Sequence, residues 1–131
     1  MATQANVAAI TKIYDAFGKG DIPYIIDQLS DEVHWMAHIE PFVPWSGDRS
    51  GKTNVPSLFQ AIDDSVDVLS FTPGDFVAEG DTVVSFGSFG CRVKATGKSA
   101  TTAWVFVRKL RDGLVTSYEQ FHDTAIADAF R

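Results

Sequence analysis

Two rhythms of apolar positions run through the first half of the chain. In "NVAAITKIYDAFGKGD" the residues Val7, Ile10, Ile13, Tyr14 and Phe17 recur at the spacing of one helix face. Gly18 and Gly20 follow, as helix C-termini prefer. Asp21 is placed to cap a second, short helix, "IPYIIDQL", with Pro23 tolerated in its first turn. "DEVHWMAHI" then changes to a period of two. Val33, Trp35, Ala37 and Ile39 alternate with His34, Met36 and His38, which predicts a strand. "PFVPWSGDRSG" reads as loop from its Pro and Gly content. "NVPSLFQAIDDSV" predicts a third helix, with Asn54 as N-cap and Pro56 in the first turn.

From residue 66 onward the chain is rich in Val, Thr, Phe, Trp and Tyr and is cut by "PGD", "EGD", "TGK" and "RDG". These read as hairpin turns between the strands of an antiparallel sheet. Gly87 and Gly90 in "SFGSFG" predict bulges or a bend that lets the sheet curl. Three helices followed by a long, bent sheet make one α+β domain over residues 1–131. The amphipathic helices have a concave sheet face on which to bury their stripes. If they cover only part of it, a cone-shaped apolar pocket remains.

Composition narrows the function classes. The net charge is -6, from 11 Lys+Arg against 17 Asp+Glu, and no basic run occurs, which argues against nucleic acid or an anionic membrane as partner. No apolar stretch reaches the length of a membrane span. The single Cys91 has no partner for an internal disulfide; with no signal-peptide pattern ahead of it, a reducing cytoplasm is the expected location. Cys91 lies in an apolar run and is expected in the core rather than as a nucleophile. Aromatic residues make 12% of the chain, which suits the walls of an apolar cavity as well as a core.

Four stretches occur in a familiar order: "IYDAFGKGD", "LSDEVHW", "PWSGDRSGKTNV" and "RDGLVTSYEQFHDTAIADAF". With them the chain resembles the SnoaL-like group of the nuclear-transport-factor-like superfamily, which includes ketosteroid isomerases and polyketide cyclases. The resemblance runs over essentially the whole chain. It implies an α+β barrel, or cone: three N-terminal helices on a strongly curved, mixed, mostly antiparallel sheet. It also implies a homodimer formed through the sheet.

Isomerase chemistry of that kind needs a carboxylate base, and a Tyr and a neutral Asp as oxyanion donors. The base position on the first strand aligns with Met36, which takes no proton; Glu40, His34 or His38 could stand in for it. Tyr14 lies one residue nearer the Gly-Asp pair than the pattern requires, a rotation of roughly 100° about a helix. The strand "TTAWVFVRKL" holds no carboxylate. A faithful ketosteroid isomerase is therefore not expected.

A different polar set is. On the closing strand Glu119, Phe121 and Asp123 share one face and Tyr118, Gln120 and His122 the other. The resemblance places an acid at Asp123 at the pocket, and Glu119 and Phe121 inside it. Trp104, Phe106 and Arg108 share a face of the neighbouring strand, and Met36 and His38 one of the first strand. The candidate catalytic residues are thus Asp123, His38, Tyr14 and Glu119. The candidate ligand contacts are Met36, Trp45, Phe59, Trp104, Phe106 and Phe121. Each has a structural alternative. Asp123 can cap the turn "TAIADAF"; Glu119 can pair with Arg92 or Arg108; Tyr14, Trp35 and Trp45 can be packing residues; and His122 can lie at a surface or subunit interface. His34 and His38 stand roughly 13 Å apart on an ideal strand, too far to share a metal. The expected function is acid/base chemistry on a small apolar molecule, of isomerase, cyclase or hydrolase type, with no cofactor and no metal. The alternatives are a non-catalytic ligand-binding module and a dimerisation module.

Overall fold

The computed structural model describes residues 2–131. Helix α1 spans Ala2–Gly18, α2 Ile22–Asp27, α3 Pro56–Ser65 and α4 Ala125–Ala129. The strands are β1 Leu29–His38, β2 Gly47–Asp48, β3 Val66–Glu79, β4 Thr82–Val93, β5 Ser99–Arg111 and β6 Leu114–His122. They form one sheet in the order β2-β1-β6-β5-β4-β3. Only β1 and β6 run parallel; every other pair is antiparallel. The α+β cone expected from the sequence is the fold observed.

Local chemistry explains most of the boundaries. The stripe of α1 buries Ile10, Ile13 and Tyr14. The helix ends where Gly20 takes φ 72° and Asp21 N–H donates to the Ala16 carbonyl at 2.8 Å. The Asp21 carboxylate accepts from Tyr24 N–H at 3.3 Å and caps α2, as expected. The turn from β5 to β6 is an Asp-Gly pair with both residues at positive φ, Asp112 at 53° and Gly113 at 81°, as a tight hairpin demands.

Three expectations are corrected. Asn54 does not cap α3. It closes a 3₁₀ turn, Lys52–Asn54, and its side-chain amide donates to the Ser50 carbonyl at 2.8 Å. Pro56 stands at the start of α3 as expected. "PGD" is not a hairpin turn; it lies inside β3, where the pairing with β4 shifts between Pro73 and Phe76. The extra residues of the bulges therefore sit in β3, at the shifts between Val68 and Ser70 and between Pro73 and Phe76 that flank the pairings of Gly90 and Gly87, whereas the ladder of these glycines with β5 is regular. These glycines serve a close approach instead. A β-carbon on Gly87 would lie 2.6 Å from the Thr72 carbonyl oxygen and would overlap the Trp104 indole. On Gly90 it would meet the rotatable Ser70 hydroxyl at 2.5 Å.

The core lies between the helices and the inner face of the sheet. Val33, Trp35 and Ala37 of β1 point into it, as do Trp104, Phe106, Arg108 and Leu110 of β5. Cys91 is wholly buried there, and burial pushes its thiol up to about 11, consistent with a packing role. The loop after β1 turns back and seats Val43 and Trp45 in the same core, with Trp45 edge-on to Phe130. No helix among the described residues is long and apolar enough to cross a membrane.

Because Gly87 meets backbone and an immobilised indole, Gly87→Ala should destabilise the fold by about 1–3 kcal/mol. Gly90→Ala, which only displaces a hydroxyl, should cost less. Chemical denaturation of both variants checks the order.

Candidate functional site

The inner face lines a partly open cavity of about 70 Å³. Its walls are mostly aromatic: Phe17 from α1, Trp35 from β1, Trp45 from the following loop, Phe59 from α3, Phe71 and Phe89 from β3 and β4, and Phe106 from β5. Beyond the indole N–H groups of Trp35 and Trp45, five lining residues carry polar groups: Tyr14, Arg108, Tyr118, Gln120 and His122. An apolar cavity of roughly 150 Å³ holds one benzene, so a ring-sized guest needs the wall to give way. Phe17, Phe59, Ile62 and Phe71 line both this cavity and an outer hollow between the end of α1, α2, α3 and β3. They are the thin part of the wall.

Arg108 is the most unusual of the five. Its side chain is buried, 5% exposed, yet no carboxylate pairs with it. The ion pairs among the described residues are His34–Glu119, His38–Glu119 and Arg92–Asp67. Arg108 Nη1 donates to Tyr14 Oη at 2.6 Å, and that hydroxyl also makes a very short bond with Ser85 Oγ. The guanidinium lies 4.6 Å from the Tyr118 ring centroid, 5.0 Å from Tyr14 and 5.5 Å from Phe106. Desolvating such an ion costs several kcal/mol, while each ring face returns about 0.5–2 kcal/mol. The cation is held, but its charge is not neutralised by protein.

Beside it runs a chain of hydrogen bonds along β6. Tyr118 Oη donates to Gln120 Oε1 at 2.7 Å, and Gln120 Nε2 lies 2.7 Å from His122 Nε2. Since an amide nitrogen can only donate, His122 Nε2 accepts and the imidazole proton sits on Nδ1. That nitrogen is buried and has no partner. Burial pushes His122 down to about 4, against the opposing pull of Asp123 and Glu40, so the ring is neutral at neutral pH.

The structure divides the sequence-predicted residues. Tyr14, Trp45, Phe59 and Phe106 line the cavity. Trp104 is buried one layer behind, stacked between Phe106 at 3.9 Å and Phe71 at 5.4 Å. Met36, His38, Glu119 and Phe121 are not in the cavity. His34 and His38 both place Nε2 against Glu119 Oε1, at 3.3 and 3.5 Å, on the outer face of the sheet. Phe121, 40% exposed, stacks on His38 there at 4.6 Å. Glu119 thus pairs with the two histidines rather than with Arg92 or Arg108, and they hold its carboxyl below the usual range. Asp123 is exposed and anchors the chain: its carboxylate accepts from Thr102 Oγ1 at 2.6 Å and from the N–H groups of Ala103 and Ala125 at 3.0 Å.

The reason for the reversed face is a bulge. Alternation counted from the buried Val115 would send Ser117, Glu119 and Phe121 inward. The ladder with β5, however, steps from Leu110–Val115 to Lys109–Ser117, leaving Thr116 extra. One added residue turns over everything beyond it, so Tyr118, Gln120 and His122 point in. No turn residue marks that bulge. Arg108 was legible as a neighbour of Trp104 and Phe106 on one strand face, but not as an unpaired cation.

The family model of the SnoaL-like domain matches residues 10–118. The chain belongs to the SnoaL-like family. An NTF2-like protein from Burkholderia xenovorans LB400 is 30% identical, with TM-score 0.87 over 100% of this chain and 99% of that one. TerC, crystallised with polyporic acid, is 25% identical, with TM-score 0.82 over 95% of each chain. A protein described as a SnoaL-like polyketide cyclase, from Mesorhizobium loti, shares the fold at 17% identity, TM-score 0.73, over 88% of this chain and 97% of that one. The comparison with curated proteins finds no match.

Within this SnoaL-like domain the two polar residues near the chain end predict different behaviour. Asp123→Ala removes an anchor and should cost about 1 kcal/mol of stability, measured by denaturation. His122 acts through pH. An unfolded His takes its proton near 6.5, the folded one only near 4. Stability is therefore complete above about pH 6.5 and falls as pH drops towards 4, by about 3 kcal/mol. Denaturation of wild type and His122→Asn at pH 7 and pH 4.5 should show the variant losing less.

Proposed function

We propose that this SnoaL-like protein is an enzyme that moves a proton on a small, largely apolar molecule held in the aromatic cavity. The observation that carries the reading is the convergence of Tyr14–Arg108 and Tyr118–Gln120–His122 on one cavity whose other walls are apolar. Buried donors aimed at a developing negative charge act strongly because no water competes, and losing one typically costs about 10²–10³ in rate. In this reading Arg108 and Tyr14 form the electrophilic end and polarise a carbonyl oxygen.

His122 is the proton carrier. As the Gln120 amide stands, Nδ1 bears hydrogen and can donate. Turning that amide over would reverse each bond of the chain, leaving Nδ1 as an acceptor able to take a proton from carbon. Gln120 is then the switch between the two states, and Tyr118 the other end of the relay. A neutral imidazole suits this role because its pair of electrons is free at neutral pH. The conversion conserves the substrate's atoms: a proton leaves one carbon and returns elsewhere, which is isomerase or cyclase chemistry.

A second reading rests on a specific observation. No carboxylate is among the lining residues, and burial pushes the one imidazole there, His122, down to about 4, so the cavity holds only a weak base. The protein would then bind its guest without converting it.

Exchange at carbon separates the two. With 2-tetralone in D₂O at pH 7, proton NMR should show deuterium uptake next to the carbonyl above the buffer rate. His122→Ala and Tyr14→Phe should each lower it by about 10²-fold. Binding with no uptake above buffer would establish the carrier reading.

A further inference from the structure

The unsatisfied polar groups around the cavity are of one kind. Arg108 has five N–H donors and one hydrogen bond among the described residues, to Tyr14 Oη. Its remaining nitrogens are not among the sealed, partnerless atoms, so they border open space in the cavity that Arg108 lines. Trp35 Nε1, a donor only, and His122 Nδ1, protonated because Gln120 occupies Nε2, also lack a partner, but both atoms are sealed off, so Arg108 alone presents free donors to the open space. The acceptors, by contrast, are engaged. Tyr14 Oη receives Arg108, and Gln120 Oε1 receives Tyr118.

A pocket that offers donors, holds an unneutralised cation and contains no carboxylate is complementary to an anion. The flanking surfaces define the rest of the guest. Phe17, Trp35, Phe59, Phe71 and Phe89 line it with aromatic rings. Such a lining favours an aromatic, planar partner. We infer that the cavity binds a planar aromatic molecule bearing an oxyanion, either a carboxylate or an ionised enol, with that oxyanion seated on Arg108. This rests on the cavity being the working site, as proposed above, but not on any reaction occurring there.

The fork of the guanidinium can meet two oxygens at once. Entry would pass the thin wall, where Phe17 and Phe71 rings touch at 4.7 Å and Phe17 and Phe59 at 6.2 Å.

Matched pairs test this directly. Benzoate with benzamide, and 2-naphthoate with 2-naphthamide, differ in charge and hardly in shape. Binding to the full chain at pH 7 is read by titration calorimetry and by NMR shifts of the lining residues. At least one carboxylate should bind tenfold or more tightly than its amide. The preference should vanish in Arg108→Met and persist in Arg108→Lys. The wild-type comparison stands even if Arg108→Met does not fold. Equal binding of acid and amide, tighter binding of the amide, or no binding of any of the four up to 10 mM overturns the inference. Formate matching the aromatic acids overturns the aromatic part. Anion preference in a protein that exchanges no deuterium supports this inference while rejecting the enzyme reading.

Discussion

Everything in the interior depends on how β6 lies between β1 and β5. Its parallel pairing with β1 sets Trp35 opposite Tyr118, and the two rings stack at 3.9 Å with their planes 23° apart. That contact selects one phase of β6. The bulge at Thr116 lets the strand satisfy Val115 on one side and Tyr118 on the other, although three positions separate them. Given the phase, Gln120 and His122 must follow Tyr118 inward, and Glu119 and Phe121 must face out. The polar relay and the outer acid cluster are two consequences of a single packing choice.

The aromatic slab performs two tasks. Phe71, Trp104 and Phe106 stack nearly parallel, and Gly87 leaves the room that Trp104 occupies. Of these rings Phe106 also offers a face to Arg108, which rests on Tyr14 and Tyr118 as well. A buried cation could be stabilised by a carboxylate, but then its charge would be spent within the protein. Held by rings and one hydroxyl it remains available, at a cost to stability that the surrounding burial must offset. His122 is kept neutral by the same lack of water that makes Arg108 potent.

On the other face, His34 and His38 show how far side chains can depart from a strand's nominal spacing. Their α-carbons stand four residues apart, yet both imidazoles reach one oxygen of Glu119. Partial exposure limits the strength of those pairs. The phase of β6 already turns Glu119 outward, away from Arg108, and the histidines pair with it there.

Periodicity and punctuation in the chain were sufficient for the helices, the first strand and the Asp112–Gly113 turn, because these follow from contacts between near neighbours, while the α+β cone was legible through the resemblance to the SnoaL-like group. Tyr14, Trp45, Phe59 and Phe106 were also legible as wall residues, since large aromatic side chains on apolar faces have few other places to go. What only the tertiary structure decided was the side of β6 that faces in, and hence Gln120 and His122 in place of Glu119 and Asp123. A bulge without glycine or proline leaves little trace in composition, and its position is set by partners distant in sequence. Arg108's lack of a counter-charge is of the same kind: it depends on which carboxylates fail to reach it, and no local pattern records that.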